Sequence, residues 1–116
     1  MKSIARIDQN KRRSRAVIHA GTVYLAGQVA DDATADIATQ TRQSLSKVDE
    51  MLKLTGTNKS RLLTAQIWIS SMSNFEEMNA VWDAWVVAGE TPTRCCGEVK
   101  LADPNHLVEI VVCAAL

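Results

Sequence analysis

Two charged residues stand inside segments that otherwise read as core strands. Thr91-Pro92-Thr93-Arg94-Cys95-Cys96 carries one arginine, and Leu107-Val108-Glu109-Ile110-Val111-Val112-Cys113 carries one glutamate. A guanidinium presents a rigid fork of donors that matches a carboxylate, and a lone carboxylate in an apolar strand needs a water, a ligand or a cation beside it. Arg94 and Glu109 together therefore point to a pocket for a small carboxylate-bearing molecule. Taken singly each has a plainer role, a surface salt bridge for the arginine and an inter-subunit ion pair for the glutamate.

Other residue types with chemical potential give weaker signals. Cys95, Cys96 and Cys113 are odd in number, and adjacent strand residues point to opposite faces, so neither a disulfide framework nor a metal spacing emerges. They read as free thiols of a reducing compartment, acting as small core hydrophobes. His19 and His106 have no spacing to each other or to the cysteines that suggests a metal, so none is expected. Gly27-Gln28 lacks the glycine pattern of a phosphate-binding loop. Trp68, Trp82 and Trp85 fall at strand or helix core spacing and are assigned to packing.

These residues must be positioned by a single domain, residues 1–116, whose length suffices to bury roughly two-thirds of its unfolded surface. Thirteen Lys plus Arg balance thirteen Asp plus Glu, and the one basic run, Lys11-Arg12-Arg13 with Arg15, reads as a solvated start to a strand. Nucleic acid is therefore disfavoured as a partner. Without a signal-like N-terminus or a long apolar stretch, a cytoplasmic location away from membranes is expected.

Ala16–His19 and Thr22–Gln28 are β-rich runs around Ala20-Gly21, predicting a hairpin, with an earlier strand near Ile4–Ile7. Ile37, Thr41, Leu45, Val48 and Leu52 recur at spacings of four and three, predicting a helix from Asp36 to Leu54 stopped by Gly56. Leu62–Ile69 reads as a strand. Asn74 with Glu77 predicts the capped start of a second helix bearing Phe75, Met78, Val81, Trp82, Trp85 and Val86, ended by Gly89. Strands at Thr93–Leu101 and Leu107–Ala114 complete the chain around a turn at 102–106.

Two strand–helix–strand units predict an α+β fold with a mixed sheet, at least one parallel pair, and both helices on one face. The last strand is apolar on both faces except at Glu109, which predicts a central strand buried on both sides. Only two helices are available, so a second copy is expected to cover the other face.

The chain resembles the reactive intermediate deaminase (RidA/YjgF) family through Gly21-Thr22-Val23-Tyr24-Leu25-Ala26-Gly27-Gln28, Asn79 with Trp82, Pro92-Thr93-Arg94-Cys95-Cys96, and Val108-Glu109-Ile110. The stretch from Asn79 to Gly89 is similar to its YoaB-like branch. The resemblance implies a chorismate-mutase-like fold and a trimeric barrel-like assembly with ligand clefts between subunits. It further implies hydrolytic deamination of 2-imino or enamino acids to 2-keto acid and ammonia, with no cofactor. Carried onto this sequence, Arg94 clamps the substrate carboxylate, Glu109 holds the attacking water, and Cys96, Asn79 and Gly27 line the cleft.

Two positions depart from the common pattern, because Arg13-Ser14 replaces an N-terminal tyrosine and Ala26 replaces a pocket serine. The competing readings are a non-catalytic trimer that senses small carboxylates, for which Arg94 alone suffices, and an RNA-directed protein. The even charge balance argues against the latter.

Overall fold

The computed structural model describes residues 3–116. Six strands and two helices follow one another as β1 (Ile4–Gln9), β2 (Ser14–His19), β3 (Thr22–Leu25), α1 (Ile37–Thr55), β4 (Leu62–Ile69), α2 (Phe75–Trp85), β5 (Thr93–Glu98) and β6 (Val108–Ala115). All strands join one sheet in the order β1-β2-β3-β6-β4-β5, in which β4 and β5 are parallel and every other pair is antiparallel. The last strand is central, as its composition requires. The β2–β3 turn falls on Ala20 and Gly21, both with positive φ, the conformation that a tight hairpin demands.

Helix α1 forms because its apolar residues fall on one stripe and both ends are capped. Asp36 accepts from the Thr39 amide at 2.8 Å. At the other end Gly56 adopts φ 92°, its amide bonds to Lys53, and Thr57 bonds to Leu52, a Schellman closure. Ile37, Leu45, Val48, Met51 and Leu52 then pack on Val108, Ile110, Val112 and Ala114 of β6 and on Met78 and Trp82 of α2. Two buried hydroxyls on this face are satisfied locally, Thr41 donating to Ile37 O and Thr55 to Met51 O, whereas the buried Ser44 hydroxyl has no partner among the described residues.

Several expected boundaries move. Helix α2 begins after Asn74, but that side chain makes no capping bond, because a short 3-10 turn at Met72–Asn74 feeds into the helix. The helix ends at Trp85, not Gly89, with its last carbonyl taken by Lys59 Nζ at 2.7 Å. Strand β5 stops at Glu98 and is an edge strand of mostly exposed residues, where its sequence reads as core. Strand β6 is buried on one face only within this chain, since Glu109, Val111, Cys113 and Ala115 alternate with the buried residues and remain half-exposed.

Candidate functional site

Glu109 is the second residue of β6, between Val108 and Ile110, which are fully buried beneath the helices. Alternation therefore turns Glu109 onto the open face. Its neighbour across β4 is Trp68. On the β3 side, three residues (Leu25, Ala26 and Gly27) lie between Tyr24 and Gln28, opposite only Val111 and Val112 between Cys113 and Ile110. One extra residue is a β-bulge, a device that bends a strand and re-aims side chains. Pairing resumes at once, Gln28 and Ile110 exchanging hydrogen bonds of 2.9 and 3.0 Å. Gln28 thus lies beyond β3, whose expected length was continuous to that residue.

At the bulge the Glu109 side chain rests against Gly27. A Cβ on residue 27 would strike the carboxylate and stand 2.9 Å from Cδ and 3.1 Å from Cγ. Only glycine leaves that space, so the backbone and the carboxylate form one fitted unit. The far side of β6 is anchored by Gln40 of α1, which is fully buried. Its Oε1 accepts from the Leu107 amide at 2.9 Å, and its Nε2 donates to Ala35 O and Asn105 O.

Arg94 belongs to β5, paired with Ala65, which is buried on the helix-covered face. Arg94 accordingly leans toward α2, its Cζ 5.6 Å from the centre of the Trp82 ring. Stacking on an aromatic face holds the guanidinium plane while leaving its edge donors open. Cys96, two residues on, shares this face and packs partly against the core. Burial pushes its thiol above the usual range, the Arg94 charge pulls it down, and Cys95 raises it. Asn79 sits three residues before Trp82 on α2, and its Oδ1 is buried with no hydrogen-bond partner among the described residues.

Arg94, Cys96 and Asn79 thus gather around one edge of the helix layer, and Gly27 and Glu109 gather on the opposite face of the sheet. Strand β4 separates the two groups, and their registers differ by three residues, Ala65 against Trp68. From strand spacing and rise the offset is about 10 Å in each direction, with the side chains on opposite faces. No small molecule touches both within one chain. Among the described residues the ion pairs are Arg15–Asp8 and Lys47–Asp31, so neither Arg94 nor Glu109 is neutralised by the other.

Two tryptophans assigned to packing from spacing have a second aspect. Trp68 is outside the buried core and lies over Gly97, a Cβ at which would stand 3.3 Å from its ring. It therefore borders Glu109 on the open face. Trp82 is core, yet its ring also carries Arg94. A hollow of about 650 Å³ between α1 and α2 is lined by Arg42, Asp49, Glu77 and Trp85 among others and contains none of the candidate residues.

One mixed six-stranded sheet, covered by two helices on one face and bare on the other, defines an α+β class of protein. The chain belongs to the RidA/YjgF family: the profile described as Endoribonuclease L-PSP matches residues 3–116. It is 43% identical over 113 residues to a RutC family protein of Haemophilus ducreyi, covering 97% of each chain. It is 42% identical over 114 residues to the RutC family protein YoaB of Escherichia coli, covering 98% of this chain and 99% of that one. Its fold matches the crystal structure of NMB1025, a YjgF family member from Neisseria meningitidis, with a TM-score of 0.93 at 39% identity, covering 97% and 94% of the two chains. No helix among the described residues is long and apolar enough to cross a membrane.

Proposed function

We propose that the protein hydrolyses reactive 2-imino or enamino acids to the 2-keto acid and ammonia, in clefts formed between copies of this chain in a homotrimer. The observation that carries this reading is the seat of Glu109 on Gly27, a carboxylate held at a bulge with no ion-pair partner among the described residues, matched by an arginine that likewise has none there. In the proposed cleft, Arg94, Cys96 and Asn79 come from one copy, and Glu109 and Gly27 from its neighbour. Arg94 takes the substrate carboxylate in two parallel hydrogen bonds. The unpartnered Asn79 Oδ1 would accept a hydrogen bond from the imine nitrogen.

A protonated imine is already electrophilic, so positioning supplies most of the acceleration. Glu109 orients a water against the imine carbon and accepts its proton as the C–O bond forms. The same carboxyl then delivers that proton to nitrogen, the C–N bond breaks and ammonia departs, while the single proton left on the hydroxyl passes to the regenerated Glu109 carboxylate as the carbonyl closes. No cofactor enters this scheme.

The test couples an amino-acid oxidase to the protein and follows imine loss. Arg94→Ala is expected to lower kcat/KM by roughly 100-fold, the order of a lost charge-assisted clamp. Glu109→Gln is expected to lower kcat with little change in KM. If the parent leaves imine lifetimes unchanged yet binds 2-keto acids, the non-catalytic carboxylate sensor replaces the enzyme.

A further inference from the structure

The basic run is exposed and leads into β2, as its sequence reads, and it also closes the β1–β2 hairpin around a hollow of about 310 Å³, lined by Arg6, Lys11, Arg12 and Arg13 with Asn10 and Val17. In a chain of zero formal charge, residues 4–15 hold five of the thirteen cations and one of the thirteen anions. That anion, Asp8, is already engaged by Arg15 at 3.4 Å. Arg6, Lys11 and Arg12 have no acidic partner among the described residues.

The hairpin tip is built rather than loose. Asn10 Oδ1 accepts from the amides of Arg12 and Arg13 at 2.7 and 2.8 Å, and Asn10 N donates to Arg13 O at 2.8 Å. Arg13 spends one of its five donors on Asp8 O at 2.9 Å and keeps the rest. Arg6 pairs with Val17, and both alternate with residues on the helix-covered face, so the hollow opens on the same bare face as Glu109.

Its place along the sheet ties it to the candidate site. Ala26 N donates to Arg15 O at 3.0 Å, which seats the end of the hairpin beside the bulge where Gly27 receives Glu109. Strands β2 and β6 flank β3, so about 10 Å separates the hairpin strand from Glu109. The Arg13 guanidinium rests on Asp8 O of β1, on the other side of β2, so it has to turn across β2 before an exposed arginine side chain and a four- or five-carbon acid together cover that distance.

We infer that the hairpin selects imino acids whose own side chain bears a carboxylate, the imines of aspartate and glutamate, with Arg13 as the specificity-determining residue. This rests on the deaminase reading. While Arg94 holds the carboxylate next to the imine carbon, Arg13 receives the distal one, and Arg6, Lys11 and Arg12 supply a favourable field.

The experiment compares kcat/KM for glutamate-derived and methionine-derived imines in the parent, Arg13→Ala and Arg13→Lys. The parent should favour the acidic imine, Arg13→Ala should reduce the ratio about tenfold, and Arg13→Lys should retain part of it, as expected for loss or weakening of one charge-assisted pair. A second arm titrates 2-oxoglutarate against 2-oxobutyrate by calorimetry, which needs no turnover. Equal ratios in parent and Arg13→Ala, with imines hydrolysed, overturn this inference and leave the deaminase reading standing. Tighter binding of 2-oxoglutarate that Arg13→Ala abolishes, with no imine hydrolysed, does the reverse for the hairpin's selectivity. Indifference in both arms removes it altogether.

Discussion

Glu109 can lie flat against the sheet only because residue 27 has no side chain, so Gly27→Ala separates positioning from folding. The added methyl meets the end of a flexible side chain rather than backbone, and Glu109 can swing away. We expect the melting temperature to change by only a few degrees while imine turnover falls roughly 10–100-fold, since a misplaced catalytic group costs on that order. A variant that keeps parental turnover would show that the carboxylate does not need this seat. Cys96 offers a pH signature. Folding raises its thiol above the usual 9.0, chiefly by burial. Any stability it contributes is complete below that ordinary value and is lost as pH rises through the higher folded one. Melting temperatures measured from pH 7 to 11 should therefore drop more steeply at the alkaline end for the parent than for Cys96→Ser; parallel curves would refute it. Arg94 and Glu109 were conspicuous in the sequence because charge interrupts apolar runs. Trp68 was not, because spacing alone does not say which face of a strand is covered.

At the scale of elements, periodic and capped segments were legible and interrupted ones were not. The four-and-three spacing from Ile37 to Leu52, closed by Asp36 and Gly56, is local information, and α1 follows it within a residue or two. Helix α2 stops before Gly89 because its end is set from outside: Lys59 takes the Trp85 carbonyl and stacks 5.1 Å over its ring, while Trp85 Nε1 donates to Asp49 at 2.9 Å. The bulge in β3 is likewise a property of the register with β6, on which 22–28 alone is silent. Gln40 is the clearest case. An amide on a helix looks solvated, yet this one is buried and joins α1 to residues 105 and 107, sixty-five and more positions away. It thereby fixes the start of the strand that carries Glu109. Gln40→Leu would take their partner from the part-buried Leu107 amide and Ala35 and Asn105 carbonyls, and should cost about 1–3 kcal/mol, as unpaired backbone groups do where water is excluded. Chemical denaturation checks this; a loss under 1 kcal/mol would mean that water reaches these groups.

At the scale of the molecule, the proposed assembly accounts at once for the sheet's bare face and for the division of the candidate residues. The open side of β6 carries Val111, Cys113 and Ala115 beside Glu109, a strip too apolar to be designed for water alone. A second copy that covers it would also bring a foreign Arg94 edge toward Glu109, uniting what β4 keeps apart in a single chain. This makes a prediction that neither half can make alone. Arg94→Ala and Glu109→Ala proteins, each expected to be strongly impaired on the proposed reading, should regain activity when they are unfolded together and refolded as mixed assemblies. If every cleft takes its arginine from one copy and its glutamate from another, random mixing in equal amounts leaves both groups intact in about a quarter of the clefts, each drawn independently from the two types. Mixed samples should then show roughly a quarter of parental kcat with parental KM, and the separately refolded variants combined without exchange should show only the low rate of the single variants. A double variant carrying both substitutions supplies the baseline, because no arrangement of it restores a complete cleft. Recovery at the baseline level, in samples shown by mass spectrometry to be mixed, would place arginine and glutamate of one site on the same chain and exclude the shared cleft.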